Sequence, residues 1–476
     1  MQLPTHLILR TVACLSASML VAGCSSSDSR ARAALSAYQS AAATNDVAGA
    51  RRALLELVGA KDDVAEYWVE LGKLDASTGS YGDAYYAFTR AYELDRSNAD
   101  LLRAVTQLAL RSGDIALAQS RARELEILAP GDPWVKITKG WGAISQSRFD
   151  EALAASEQLL STSPLDPSGT VLKARALIGL NRQDDAISLL SKQTQLLPTD
   201  KGSMQLLARI YVRQADWAKA AEISRRLSLL DPQDQANSLL LIETAFRSGN
   251  VGLGRAASDR VLQPTAAPAL VASVLRIWSD YWPSAQRVDD ARLLAARTAA
   301  IEQKLVYAAF LSRAGRPADA IRLATPAAAL PVNAESAEAN AVLGDALSRS
   351  GNVAAAKSRF DAVIAFDPGN STALRGRSEL DLRTGKVAAA IVDAQKIVTV
   401  LPSSPGDRLL LARCYAAAGN NAWAERTLWT AFQDIPADET IYNALLATKK
   451  GNEEATRELQ EEFDRQREAR VSRGLV

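Results

Sequence analysis

The side chains best suited to chemistry are few, and their positions narrow what they can do. Histidine occurs once, as His6, so everything after it lacks an imidazole. That excludes Ser-His-Asp and Cys-His catalysis and histidine metal sites from the body of the chain. Cysteine occurs three times, as Cys14, Cys24 and Cys414. Cys414 precedes Tyr415 on an expected helix and reads as a small buried hydrophobe. The carboxylate pair Asp289-Asp290 falls at an exposed-looking helix start, and no Gly-rich phosphate loop or metal-ligand cluster is present. We therefore expect no cofactor, no metal and no catalytic residue.

The residues that remain are suited to holding a ligand. Trp134, Ile137, Trp141 and Ile144 follow 3-4-3 spacing and form one helix stripe. Arg175 and Arg209 are 34 residues apart, as are Arg213 and Arg247, and Arg209 and Arg213 share a helix face. Tryptophan beside a ladder of arginines can hold an extended peptide or an anionic polymer by stacking and forked hydrogen bonds. The alternative is that the tryptophans pack inside and the arginines are solvated.

At the N-terminus, Arg10 precedes an uncharged, largely apolar stretch from Thr11 to Ala22. Those 12 residues are too few to span a bilayer, which needs ~20, but they suit the core of a signal peptide. The stretch ends in Leu20-Val21-Ala22-Gly23-Cys24, which resembles the lipobox of bacterial lipoproteins. The resemblance implies cleavage after Gly23, lipid attachment at Cys24 and firm membrane anchoring by several acyl chains. Ser25 differs from the Asp that resembles an inner-membrane retention signal, which implies an outer-membrane site facing the periplasm. Ser25 to Ser29 then reads as a flexible tether.

What positions the ligand-holding residues is a repeat. The chain has 476 residues, rich in Ala and Leu, with 55 basic and 54 acidic side chains. Loss of residues 1–23 leaves 54 of each, giving no basic excess for nucleic acid. Alanines recur every 34 residues at Ala50, Ala84, Ala118, Ala152, Ala186 and Ala220. Prolines do so at Pro130, Pro164, Pro198 and Pro232, and again at Pro368, Pro402 and Pro436. Twelve residues before the alanine position stands a small residue, as at Gly72, Gly140, Ala174, Ala208, Gly344 and Ala412. Gly79, Gly113, Gly249, Gly351, Gly385 and Gly419 mark a turn in the same phase. Each unit thus reads as a first helix with a small contact residue, a turn, a second helix carrying the Ala, and a terminating Pro.

This pattern resembles the tetratricopeptide repeat, whose period is 34 residues. One copy has Trp68, Leu71, Gly72, Ala84, Phe88 and Ala91. A second has Leu343, Gly344, Ala356, Phe360 and Pro368, and a third has Ala412, Tyr415, Ala424, Ala431 and Pro436. Asp75 and Arg96 depart from the pattern, standing for the usual aromatic and proline. The resemblance implies an all-α, right-handed solenoid of about twelve helix pairs whose first helices line the binding surface. The family's clamp for C-terminal carboxylates uses Lys and Asn, and Arg or Trp stands here instead, so that ligand is not expected.

The phase slips between about Ala266 and Lys304, where Gly254 takes the alanine position and Trp278, Tyr281, Trp282 and Pro283 follow. This is either a degenerate pair with an aromatic core or a bend that doubles as a docking site. The expected organisation is a signal peptide (1–23), a lipidated Cys and tether (24–30), an N-terminal array (31–266), the degenerate pair (267–304), a C-terminal array (305–438) and a capping helix with tail (439–476). In the last of these, Ile441, Tyr442, Leu445 and Leu446 seal the final repeat, and Glu453–Arg457 and Glu461–Arg465 pair along a solvated helix.

The reading that results is a non-enzymatic, lipid-anchored periplasmic scaffold for envelope proteins or peptides. By resemblance to tetratricopeptide lipoproteins, it would serve polysaccharide export, pilus or secretion assembly, or outer-membrane protein insertion. The alternative is a binding module for a soluble polymer, either a glycan such as an anionic polysaccharide or an unfolded polypeptide.

Overall fold

The computed structural model describes residues 26–436, 438–449 and 452–475. The expected leader, Cys24 and Ser25 lie outside them. Among the described residues there are 26 α-helices and no strand. None of these helices is long and apolar enough to cross a membrane. The fold is an α-solenoid of helix pairs. In chain order 24 helices run from α1 (Ser26–Ala43) to α24 (Asn421–Asp434), most packing consecutively in twos, followed by α25 (Glu439–Thr448) and α26 (Glu453–Leu475). The tether expected over 24–30 is helical from Ser26 onward, and Lys61 ties Asp28 to the second helix of the pair at 2.5 Å.

Local chemistry sets the helix boundaries. Asp or Asn caps α2, α5, α6, α7 and α9 by accepting amides from their first turns, through Asp46, Asn98, Asp114, Asp132 and Asp166. Each such cap contributes about 1 kcal/mol. Pro133, Pro167 and Pro405 stand at first helical positions, where no amide is missed. The turn glycines named above all take φ between +76° and +89°. At the same phase Asn45, Ser147, Asn181 and Ala215 adopt φ of +56° to +59°, so the turn geometry persists where glycine is lost.

The chain divides into two compact units, at Leu207 and Ala208 within α11 (Lys201–Arg213). In the first unit, Ala84, Ala118, Ala152 and Ala186 are fully buried. Gly72 of α3 (Ala65–Ser77) lies under Phe88 of α4 (Tyr81–Leu94), and a Cβ there would come within 2.8 Å of the ring. Asp75, where the repeat usually has an aromatic, is buried and takes a 2.6 Å bond from Arg51 Nε, so the departure is a paired charge.

The second unit repeats these devices. Gly344 of α19 (Ala337–Arg349) is held open by Phe360 of α20 (Val353–Phe366), 2.7 Å from a would-be Cβ. The chain does not part at the slipped stretch. Instead α13 (Gln235–Arg247), α15 (Pro268–Tyr281) and α17 (Ile301–Arg313) pack in sequence. Trp278 and Trp282 are buried there, edge to face at 5.2 Å, with Phe246 stacked on Trp282 at 5.1 Å. Trp278 Nε1 donates to Ser258 Oγ at 2.9 Å. Gly254 is glycine because Phe246 occupies the space of its Cβ, at 2.8 Å. Trp278 and Trp282 are thus core residues.

At the C-terminal end Ile441, Tyr442 and Leu445 are buried with Phe432, and Leu459 and Phe463 of α26 close over them. Arg465 pairs with Glu462 at 2.6 Å and not with Glu461.

Candidate functional site

Trp134, Trp141 and Arg175 lie in the first unit. On α7 (Pro133–Ser145) the expected stripe separates by depth: Ile137 and Ile144 enter the core, while Trp134 and Trp141 stay half-buried at its margin. Two first helices meet at this margin. Arg175, on α9 (Pro167–Gly179), lays its guanidinium over the Trp141 ring with Cζ 5.1 Å from the centroid. Half-buried, that pair presents a flat cation and an indole together.

Arg209, Arg213 and Arg247 lie in the second unit. Arg209 and Arg213 are exposed, one turn apart on α11. Arg247 is different. Its Cζ sits 3.5 Å from the centroid of Trp217 and 4.7 Å from that of Tyr281, and Nη1 bonds Glu243 at 3.0 Å. Arg247 is therefore a fixed part of the wall, with its charge shared with Glu243, while Arg209 and Arg213 are exposed and pair with no carboxylate among the described residues.

Residues that the sequence reading missed complete this picture. Arg111 stacks over Tyr81 at 5.1 Å and donates to its hydroxyl at 3.0 Å. Arg247 and Trp217 stand in the same relation, four periods later. An arginine also stands two residues before the turn glycine at Arg313, Arg349 and Arg383. The signal was legible as a second periodic series, in phase with the glycines. At the last turn of a helix such a cation is favoured by the exposed carbonyls, which accounts for the residue type without a ligand. Around α19, α21 (Ser371–Arg383) and α23 (Pro405–Ala417), Arg349, Glu379, Arg383 and Arg413 line a cleft of ≈290 Å³.

Elsewhere on α21 the charges are tied down. Arg375 donates two bonds to buried Asp407, at 2.6 and 2.8 Å. Burial would raise the Asp407 carboxyl, but the bonds from Arg375 and Ser404 hold it below the ordinary aspartate value. Arg377 bridges Asp393 and Asp361 in the same way. Cys414 is buried near Ser378, and burial pushes its thiol up, away from reactivity. Among the described residues no group of three or more His, Cys, Asp or Glu is placed to hold a metal ion.

The described geometry agrees with a family comparison. The tetratricopeptide repeat model matches residues 137–200 and 342–407. Those two segments carry tetratricopeptide repeats. These matches cover α7 to α10 in part, and α19 to α22, which include Trp141, Arg175, Arg349 and Arg383. No curated protein matches the chain. Among solved structures, MamA protein is 18% identical over 35% of this chain and 92% of its own, with a TM-score of 0.30. The hetero-tetramer Cut9-Hcn1 is 12% identical over 94% and 95%, with a TM-score of 0.30. Pseudomonas aeruginosa pilF is 16% identical over 49% and 98%, with a TM-score of 0.31. At such scores the likeness says nothing of what this chain binds. The repeats support a protein–protein interaction scaffold.

Proposed function

We propose that this protein is a non-catalytic scaffold of the bacterial envelope, anchored through lipid on Cys24 to the periplasmic face of the outer membrane. Its first helices gather polypeptide components of an assembly machine for polysaccharide export, a pilus or secretion. The observation that carries the binding part is the exposed pair Arg209 and Arg213 on one first helix, continued in the same unit by the Arg247–Trp217–Tyr281 stack. Exposed cations beside an arginine stacked between rings of neighbouring helices suit extended polypeptide, since each ring offers area at little entropic loss and each guanidinium a planar fork. The envelope part rests on the lipobox-like Leu20 to Cys24.

Two experiments test it. Cys24→Ser should move the protein from the membrane fraction to the soluble periplasmic fraction; retention on the membrane would remove the lipid anchor. Affinity purification from detergent-solubilised envelopes should recover polypeptides that Arg209→Glu plus Arg213→Glu loses. Recovery unchanged by the double variant would remove that face from the binding surface.

A further inference from the structure

One turn before the last-turn site, the first helices of the second unit carry an acid in some cases and none in α11, α17 and α23, where Arg209, Ala309 and Arg413 stand. In α13 and α19 an acid precedes the last-turn arginine by four residues, and the two pair: Glu243 with Arg247 at 3.0 Å, and Asp345 with Arg349 at 3.1 Å. The same spacing stands in α21 as Glu379 and Arg383. The series also links neighbouring first helices, since Arg349 Nη2 reaches Glu379 Oε2 on α21 at 3.3 Å. One period on, Arg413 stands beside Arg383 at the position that Glu379 holds beside Arg349. Arg413 is exposed and pairs with no carboxylate among the described residues. Three guanidinia and one carboxylate therefore line the ≈290 Å³ cleft, with Arg349 held by Asp345 and Glu379 and Arg383 bonded to Ser348 Oγ.

Resting on the scaffold reading above, we propose that this cleft binds a carboxylate side chain of an acidic segment in a partner polypeptide. The bound carboxylate takes the part beside Arg383 that Glu379 takes beside Arg349. Arg383 and Arg413 supply planar forks matched to a carboxylate, and Glu379, already engaged by Arg349, keeps the site from holding a chain of closely spaced anions. No aromatic ring lines the cleft to stack on a sugar face, which favours polypeptide over anionic polysaccharide.

The test uses the full chain and a fluorescein-labelled ten-residue peptide of alternating Glu and Gly, read by fluorescence anisotropy at low salt. Arg413→Glu puts an acid beside Arg383, so the variant should keep or raise the melting temperature while weakening peptide binding at least tenfold. Lys396→Glu, exposed on the second helix α22 (Val387–Val400), should change binding less than twofold. Polygalacturonate should compete poorly. Equal losses from both variants would show a diffuse charge effect and overturn the assignment. So would undiminished binding by Arg413→Glu, or tighter binding of polygalacturonate than of the peptide. Because the readout is this peptide alone, its failure leaves recovery of envelope polypeptides through Arg209 and Arg213 to stand or fall separately.

Discussion

Two stretches of the second unit solve one packing problem differently. In α19 to α22 (Val387–Val400), a glycine of the first helix receives a ring from the second, as Gly344 receives Phe360. In α13 to α17 the order is reversed. There Phe246 of the first helix covers Gly254 of α14 (Val251–Val261), and Trp278 and Trp282 fill the volume behind it. Arg255 of α14 and Asp290 of α16 (Gln286–Arg297) hold the second helices together with two bonds, at 2.9 and 3.1 Å. A repeat can thus lose its phase and keep its stacking, provided ring volume is conserved and a glycine stands wherever the ring lands.

The largest effect that could break this comparison is expected at Trp278. Trp278→Ala removes a fully buried ring and the bond it donates to Ser258, and should cost about 3–5 kcal/mol in urea unfolding. A loss under ~1 kcal/mol would mean the aromatic stretch is not a packed core.

Next is the buried pair that joins α21 to α23. Asp407→Ala leaves Arg375 half-buried without its partner and should cost about 3 kcal/mol at neutral pH. The folded carboxyl lies below its unfolded value, so its stabilisation is present above the unfolded pKa and is lost as pH falls through the folded one. Melting curves of the parent and variant should therefore draw together as pH falls below about 3.8, the ordinary aspartate value. A constant gap down to pH 2 would contradict the assignment.

In the regular stretch, Gly344→Ala should cost about 1–3 kcal/mol because Phe360 must shift. If alanine is tolerated without loss, the close approach is not what selects glycine. The smallest effect is a gain. Ala215 holds φ of +56°, so Ala215→Gly should stabilise by about 0.5–1 kcal/mol, read as a rise in melting temperature.

Much of this was legible in the sequence. The 34-residue series located the buried alanines, the glycine turns and the helix ends, because each has a steric cause that admits few residue types. The site was less legible. Spacing put Trp134 and Ile137 on one stripe, but a stripe only about 100° wide straddles the core boundary, and burial divides it there. Spacing could not show that Arg247 is clasped between Trp217 and Tyr281, since those rings come from neighbouring helices. Asp75 looked like a defect until Arg51 was seen to reach it from α2 (Val47–Ala60).

Site-specific photocrosslinking in intact cells addresses the binding face most directly. A photoreactive residue would replace Arg213 or Arg413 on first helices, or the exposed Leu229 or Val392 on second helices. Adducts to polypeptide partners are expected from the first-helix positions and not from the second. Adducts confined to Leu229 and Val392 would contradict the account.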